Sequence, residues 1–188
     1  MRLEEIVTVK IGRNLSRGHE KIDPTLVAYT YEDLINDLDG SFLDSQVRPD
    51  AEQNHQESYL SSAGDVVFSF VSSKAGLVSN LHHGKVINQN FAKLMIEHHE
   101  LDSRYLCYAL NESQAMKKQM AISMQGSTVP KLTPAILKEL EIKLPSIEKQ
   151  RMIGNAYFCL RKRQALAKKQ AELEEQLYLE ALKRLDQQ

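Results

Sequence analysis

Residues 144–188 read LPSIEKQRMIGNAYFCLRKRQALAKKQAELEEQLYLEALKRLDQQ, and this stretch decides the fold. Pro145 ends the segment before it, Ser146 can cap a new helix, and Glu148 suits the positive end of a helix dipole. Since no proline follows, the stretch predicts one uninterrupted helix of about 60 Å at 1.5 Å per residue. A rod of that length extends beyond what a neighbouring globular domain can cover.

Apolar side chains recur along the predicted helix at heptad spacing. Eight of ten stripe positions are apolar, and Leu166, Leu173 and Leu177 flank the stripe. An uncovered stripe needs another helix against it, and the sequence predicts no second long helix, so the partner helix is expected to come from another molecule. The alternative is a helix that folds back along its own domain. The residues expected to make the dimer contact are Ile153, Tyr157, Leu160, Ala167, Ala171, Leu177, Tyr178, Ala181 and Leu185.

Residues 1–145 predict a globular domain of mixed helices and strands, and residues 146–188 form the helix that follows it. The fold class is therefore α+β, with one long C-terminal helix expected in a coiled coil; the antiparallel orientation is what a family resemblance, described below, implies. Thr133 is expected to cap a short helix that begins at Pro134, where the missing N–H costs nothing. Other helices are expected at residues 31–38 and from 102 to about 120. Strands are expected within residues 2–11, 27–30, 64–71, 75–79, 91–96 and 140–144.

Composition limits the classes of function. The chain of 188 residues is 42% hydrophobic and 26% charged, which is ordinary for a folded domain. Its net charge of −1 argues against a nonspecific coat on nucleic acid, so any nucleic-acid surface must be local. No run is apolar enough to span a bilayer, and a cytoplasmic location is expected. Cys107 and Cys159 both lie in helix-like stretches and are expected to be buried thiols.

Motifs that carry catalysis are missing from the sequence. It has no phosphate-binding loop, no dinucleotide fingerprint, and no Asn-Pro-Pro-aromatic run of the kind that amino-methyltransferases use. The chain is therefore not expected to be an enzyme or to bind S-adenosylmethionine itself. The neighbouring pairs His82-His83 and His98-His99 lack the spacing of a metal site, so no metal is expected.

Residues 126–153 carry the most recognisable pattern, GSTVPKLTPAILKELEIKLPSIEKQRMI. It resembles the specificity subunit of type I restriction–modification enzymes, in which a glycine-containing loop precedes a short helix, a strand ending in Leu-Pro, and a Glu-Gln-x-x-Ile opening to a long helix. Residues 3–12 and 64–68 also stand where that family places similar elements. Lys149 departs from the pattern, since a second acidic residue is common there.

The resemblance is to half of such a subunit. A complete subunit has two recognition domains and two long antiparallel helices, whereas this chain has one of each. The resemblance implies a homodimer that reads two inverted copies of one short DNA sequence separated by a gap. It also implies a methyltransferase subunit as partner, with S-adenosylmethionine bound there, and it leaves a restriction subunit open.

DNA contacts are expected in loops that carry Arg, Lys, Asn, Gln and Ser, because these side chains grip phosphates or pair with base edges. Any one of them could equally be a solvated surface residue. The basic groups Arg161-Lys162-Arg163, Lys168-Lys169 and Lys117-Lys118 could touch DNA or form a solvated helix face. The expected DNA-binding residues are Arg13, Asn14, Arg17, Ser72, Ser73, Lys74, Asn88, Gln89, Asn90, Ser127, Thr128 and Lys131.

Three functions remain from sequence alone. The leading hypothesis is a DNA-reading subunit that positions a methyltransferase. The second is a coiled-coil adaptor whose globular head binds protein. The third is a small hydrolase, although no nucleophile elbow marks one.

Overall fold

The computed structural model describes residues 1–14, 26–40, 59–97, 100–124 and 132–187. Two short 3-10 turns, Leu3–Glu5 and Asn80–His82, accompany the regular elements. The strands are β1 (Val7–Ile11), β2 (Val66–Ser69), β3 (Lys74–Leu77) and β4 (Phe91–Ile96). The helices are α1 (Tyr31–Gly40), α2 (Ser103–Glu112), α3 (Gln114–Ser123), α4 (Pro134–Glu139) and α5 (Ile147–Asp186). The predicted α+β class and the long C-terminal helix are confirmed.

The strands form one antiparallel four-stranded sheet in the order β1-β4-β2-β3. Side chains of successive strand residues point to opposite faces, so each face of β2 has its own apolar residue. Phe68 packs into the larger core, and Val67 packs into a smaller cluster on the other face. Because both faces are covered, β2 is buried along its whole length.

The larger core lies between one face of the sheet and the helices α2, α4 and α5. Leu106 and Leu110 of α2 are fully buried there beside Phe158 of α5. Leu137 of α4 and Leu3 of the first 3-10 turn close the other side of the cluster. The first three turns of α5, up to Phe158, therefore belong to the globular part of the chain, which we call the head. The rest of α5, from residue 159 to 186, is called the rod.

Two helix starts show the capping chemistry that such positions favour. The Thr133 side chain accepts a hydrogen bond from the Ile136 amide at 3.3 Å, with Pro134 as first helical residue, as predicted. The Asp102 carboxylate caps α2 by accepting from the Tyr105 amide at 2.9 Å. Ser146 does occupy the N-cap of α5, but its side chain makes no capping hydrogen bond.

Gln150 ties the start of α5 to the chain around it. Its side chain is buried; Nε2 donates to the carbonyls of Glu100 and Pro145, and Oε1 accepts from the Asp102 amide. One amide side chain thus joins three points of the backbone at the place where the head meets the rod.

Several predicted elements differ in the structure. Residues 27–30 and 140–144 are not strands; each contributes an isolated bridge, Ala28 with Val86 and Glu141 with Arg2. The helix expected over 102–120 is broken at Ser113, which separates α2 from α3. Cys107 is buried as predicted, but Cys159 is exposed. None of the helices in the described part of the chain is long and apolar enough to cross a membrane.

Candidate nucleic-acid interface

The topology of the sheet brings three of the predicted DNA-binding segments to one end of it. Ile11 pairs with Ala92 and Ser69 with Phe91, so β1 and β2 both finish where β4 begins. The Arg13 amide donates to the Ile87 carbonyl at 2.8 Å, and the Phe70 amide donates to the Asn90 carbonyl at 2.9 Å. Arg13-Asn14, the turn between β2 and β3, and Asn88–Asn90 therefore adjoin; we call them the sheet-end loops.

The Asn88–Asn90 turn is built by its own side chains. The Asn88 side-chain oxygen Oδ1 accepts from the Asn90 amide at 2.9 Å, and Asn88 Nδ2 donates to the Tyr29 carbonyl at 3.3 Å. Asn88 thus shapes the turn, and its side-chain amide is engaged within the protein. Gln89 and Asn90 are exposed and remain available to a ligand.

The turn between β2 and β3 is less open than predicted. Ser73 has a positive φ of 53°, and the hydroxyl of Ser72 is buried without a hydrogen-bond partner in the described part of the chain. Lys74 lies 3.6 Å from Glu112 in an ion pair. Partial burial alone would raise the pKa of Glu112, but the hydrogen bond from Lys117 and the charge of Lys74 outweigh it and lower that pKa. The Ser72 hydroxyl is therefore turned into the protein and Lys74 is partly neutralised, while DNA contact by either residue stays a prediction.

A buried polar network lies behind the sheet-end loops. Asp37 is fully buried and accepts from Tyr29 Oη at 2.7 Å and from the Ser79 amide at 3.0 Å. His82 Nδ1 lies 2.7 Å from Asp37, and His82 Nε2 lies 3.2 Å from Asp33. The imidazole of His82 therefore bridges the two carboxylates of α1.

The contacts in this network shift the pKa values of two of its members, Tyr29 and Asp33. Burial, together with the charge of Asp37, raises the pKa of Tyr29 far above its ordinary value, so its hydroxyl stays a donor. Burial would raise the pKa of Asp33, but hydrogen bonds from Lys85 at 2.8 Å and from Thr30 lower it overall. These contacts fix α1 to the chain that leads into Asn88. No local pattern in the sequence predicts this network, because its members are far apart along the chain.

Four predicted residues, Arg17, Ser127, Thr128 and Lys131, lie outside the described residues. Arg13 and Asn14 lie at the end of β1, half-buried, and both interact with other parts of the protein. Among the basic groups, Arg161 binds Asp39 of α1 at 2.6 Å, and Lys117 binds Glu112 at 2.7 Å. Arg161 therefore holds the head to the rod, which is a contact that the sequence did not predict.

The predicted dimer residues divide at Phe158. Tyr157 is only 6% exposed and lies in the core of its own head, so its assignment to a dimer seam is wrong. Its hydroxyl accepts from Asn111 Nδ2 at 3.0 Å, and Asn111 also pairs with both backbone groups of Ala75 on the edge strand β3. Burial raises the pKa of Tyr157 to about 12, against the opposing effect of the Asn111 hydrogen bond. Ile153 is half-buried against the same core.

Beyond Phe158 the rod still reaches the head through Arg161, but its large apolar side chains are mostly uncovered within the described part of the molecule. Leu160 is 50% exposed and Leu177 is 67% exposed, and every described side chain from Leu166 onward is exposed. Exposed apolar side chains in such a row are costly unless something covers them. The other predicted dimer residues in this segment, all exposed, are Ala167, Ala171, Tyr178, Ala181 and Leu185.

In the described ranges the predicted binding residues lie on the surface of the protein. No group of three His, Cys, Asp or Glu side chains in them is placed to hold a metal ion. The arrangement that remains is a head with polar loops gathered at one end of its sheet, carried on a rod that extends past it.

The fold and these surfaces define a head-and-rod protein, and comparison with known families gives its class. The chain belongs to the family described as the type I restriction modification DNA specificity domain, which matches residues 1–175. No curated protein sequence matches the chain.

Solved structures of specificity subunits share the fold. The HsdS subunit from Thermoanaerobacter tengcongensis is 19% identical with a TM-score of 0.53, covering 91% of this chain and 39% of its own. The type I S subunit from M. genitalium is 15% identical with a TM-score of 0.52, covering 95% and 42%. A chain from a structure on complex assembly and conformational transition of the type I R-M system is 20% identical with a TM-score of 0.57, covering 97% and 42%. This chain thus spans about two fifths of the chains it resembles.

Proposed function

We propose that this chain is the DNA-sequence-reading subunit of a type I restriction–modification complex, and that it works as an antiparallel homodimer on two inverted half-sites. The family supports a DNA-recognition role. The single observation that carries the dimer is the rod beyond Phe158, whose large apolar side chains nothing in the described part of the chain covers. A second copy would bury them and would supply a second head.

In this proposal the sheet-end loops read the bases. Gln89 and Asn90 are exposed amides, and such side chains can make paired hydrogen bonds with adenine in the major groove. The local field is modest, because Lys74 is paired with Glu112 and the whole chain carries a charge of −1. Recognition should therefore depend on shape and base contacts more than on phosphate attraction.

The methyl-transfer chemistry belongs to partners in this proposal. The chain would place a modification subunit, which binds S-adenosylmethionine, on the DNA between or beside the two heads. A restriction subunit could join the same assembly. The chain itself would contribute position and sequence choice, and no catalytic group.

The test is selection of bound duplexes from a random-sequence DNA library by the purified full chain, followed by binding measurements at several salt concentrations. Inverted repeats should be enriched, and affinity should fall as salt rises because each phosphate contact releases counterions. Gln89→Ala should relax base preference while the head stays folded. Gln164→Ala, which removes an exposed amide on the rod, is the matched control and should change nothing.

The low positive charge around the sheet-end loops also favours one other candidate function, an adaptor whose head binds protein instead of DNA. A dimer that shows no DNA affinity, even after mixing with a matching methyltransferase subunit, would support the adaptor and overturn the DNA-reading proposal.

A further inference from the structure

The turn between β2 and β3 exposes one apolar side chain among polar neighbours. It comprises residues 70–73, and its Val71 is 71% exposed, whereas Phe70 before it is buried in the larger core. Among the described residues of the sheet-end loops, Val71 is the only large apolar side chain that is exposed. Because one exposed apolar residue is ordinary on a protein surface, the turn that carries Val71 and its neighbours decide whether it has a role.

The backbone of this turn is held in an unfavourable conformation. Ser73 has a φ of 53°, a left-handed value that residues with a side chain rarely adopt. The hydroxyl of Ser72 is buried without a partner in the described part of the chain, so it gives up hydrogen bonds to water without replacing them. Both features cost free energy, and neither serine belongs to an apolar core cluster. Strain of this kind collects at functional surfaces, where the rest of the fold maintains it.

The turn is also braced against its neighbour in the sheet-end loops. The Phe70 amide donates a hydrogen bond to the Asn90 carbonyl at 2.9 Å. Val71 is the next residue of the chain, so its Cα lies only about 3.8 Å from that of the braced residue. Val71 and the exposed amides of Gln89 and Asn90 therefore form one small surface whose backbone is fixed.

The major groove of DNA offers one apolar group to such a surface. Asn and Gln side chains pair with the N6 and N7 edge of adenine, and the thymine opposite presents a C5 methyl group. A G·C pair presents no methyl group there. A surface that combines amides with one valine therefore matches A·T pairs better than G·C pairs.

We infer that Val71 is a specificity-determining residue whose side chain contacts the C5 methyl group of a thymine in the major groove. The inference rests on the DNA-reading function proposed above and adds the base and the chemical group that one residue reads. Gln89 or Asn90 would pair with the adenine of the same or the adjacent base pair. The contact removes a methyl-sized area from water, which corresponds to about fourfold in affinity for each half-site.

A protein partner is a poorer match for the same residue. A docking surface needs contiguous apolar area. The other exposed side chains in the described sheet-end loops are the amides of Gln89 and Asn90. One valine beside two amides is therefore closer to the pattern of a base pair than to that of an apolar protein surface.

Deoxyuridine in place of thymine tests the inference, because deoxyuridine lacks only the C5 methyl group. The probe is the duplex selected by the full chain from the random library, with deoxyuridine placed at one thymine position at a time. The wild type should lose about fourfold in affinity for each half-site at one position. Val71→Ser should bind the thymine duplex more weakly by about the same factor and should not respond to deoxyuridine at that position. Val71→Ile, which keeps an apolar side chain, should still respond.

Val27→Ser is the matched control, since Val27 is 61% exposed and lies outside the sheet-end loops. It should keep the wild-type response to deoxyuridine. Both valines are mostly exposed, so neither change should unfold the head, which circular dichroism checks.

The possible failures of the inference and of the DNA-reading function are distinguishable. A wild type that binds equally well with deoxyuridine at every position would overturn the role of Val71 and leave the DNA-reading function standing. The same holds for a selected sequence without an A·T pair, and for a Val71→Ser variant that keeps the full response to deoxyuridine. If that variant instead loses binding to a modification subunit, Val71 makes a protein contact and the inference is overturned. A wild type with no affinity for DNA would overturn the function and the inference together.

Discussion

Gly12 sits where the end of β1 passes over the Asn88–Asn90 turn. A β-carbon built on it would lie 2.2 Å from the Asn88 carbonyl oxygen, so a side chain cannot enter without moving backbone. The Gly12 amide also donates to the Phe91 carbonyl at 2.9 Å, which keeps the two segments together. The close approach of these two sheet-end loops therefore depends on glycine at position 12, which has no side chain.

Gly12→Ala should destabilise the head by about 1–3 kcal/mol, because the added methyl group is overpacked against backbone. It should also weaken DNA binding, since Arg13 and Asn14 would move away from the Asn88–Asn90 turn. Urea unfolding and anisotropy with the selected DNA measure the two effects. Gly40→Ala is the control, because its β-carbon would meet nothing within 4 Å. Equal stabilities for the two variants would contradict the account of Gly12.

Asp33 gives the buried network a pH dependence. Burial alone would raise the pKa of Asp33, but the hydrogen bonds from Lys85 and Thr30 outweigh burial and lower that pKa in the folded protein. Its ionised form thus stabilises the fold above its ordinary pKa of about 4. That contribution is lost as the pH falls through the lower, folded-state value.

Asp33→Asn should therefore destabilise the head at pH 7, and its deficit relative to wild type should shrink as the pH falls below about 4. Urea unfolding between about pH 7 and pH 3 measures the difference. Glu32→Gln, an exposed change on the same helix, serves as the control. A deficit of constant size across that range would rule out the contribution assigned to Asp33.

At the scale of elements, α5 serves two purposes along its length. Its first turns complete the core of the head, and Gly154 allows this, since a β-carbon there would lie 2.7 Å from Arg104 Cβ and 2.8 Å from the Tyr105 amide. Asn111 and Tyr157 then join α2, α5 and the edge strand β3 through hydrogen bonds. After Phe158 the same helix contributes no buried residue to the described part of the head.

Leu160→Glu together with Leu177→Glu should give a monomer whose head remains folded. Both side chains are at least half exposed in the single chain, so their replacement costs the head little, whereas charges in an apolar seam oppose pairing. Sedimentation measures the assembly and circular dichroism the fold. Gln176→Glu adds a charge at an exposed polar position of the rod and should leave the dimer intact. A double variant that stays fully dimeric would show that the rod is not the main contact.

At the scale of the whole molecule, the proposed dimer holds two heads on a stiff rod. One turn of DNA spans roughly 34–36 Å, and two heads at that separation would meet the same side of a duplex. Half-site spacing, which the sequence alone left open, then follows from where along the rod the two copies pair.

The dimer should therefore prefer inverted repeats whose centres lie about one helical turn apart. Inserting about 5 base pairs between the half-sites rotates one half-site by half a turn and should reduce affinity about tenfold or more. Inserting about 10 base pairs returns both half-sites to the same side of the DNA but places them farther apart than the two heads can reach. Titration of the selected duplex and its insertion variants measures this. Affinity that does not change with spacing would mean that the heads bind independently.

The sequence by itself determined the rod, the α+β class, the Thr133-Pro134 helix start and the buried strand β2, and the structure confirms them. These are local features: they follow from periodicity, capping chemistry and apolar runs that lie within a few turns of chain. The family resemblance was visible for the same reason, since its motif is contiguous from residue 126 to 153.

Only the tertiary structure decided what each surface meets. Tyr157 and Leu160 belong to one heptad pattern, yet one lies in the head and the other is exposed, because periodicity reports that a face is apolar and not what covers it. Residues 27–30 and 140–144 have strand-like sequences, but each makes only an isolated bridge, so neither becomes a strand. The sheet-end loops and the contacts of Asp37 with His82 likewise arise from residues distant in sequence, whose meeting depends on how the sheet and helices pack.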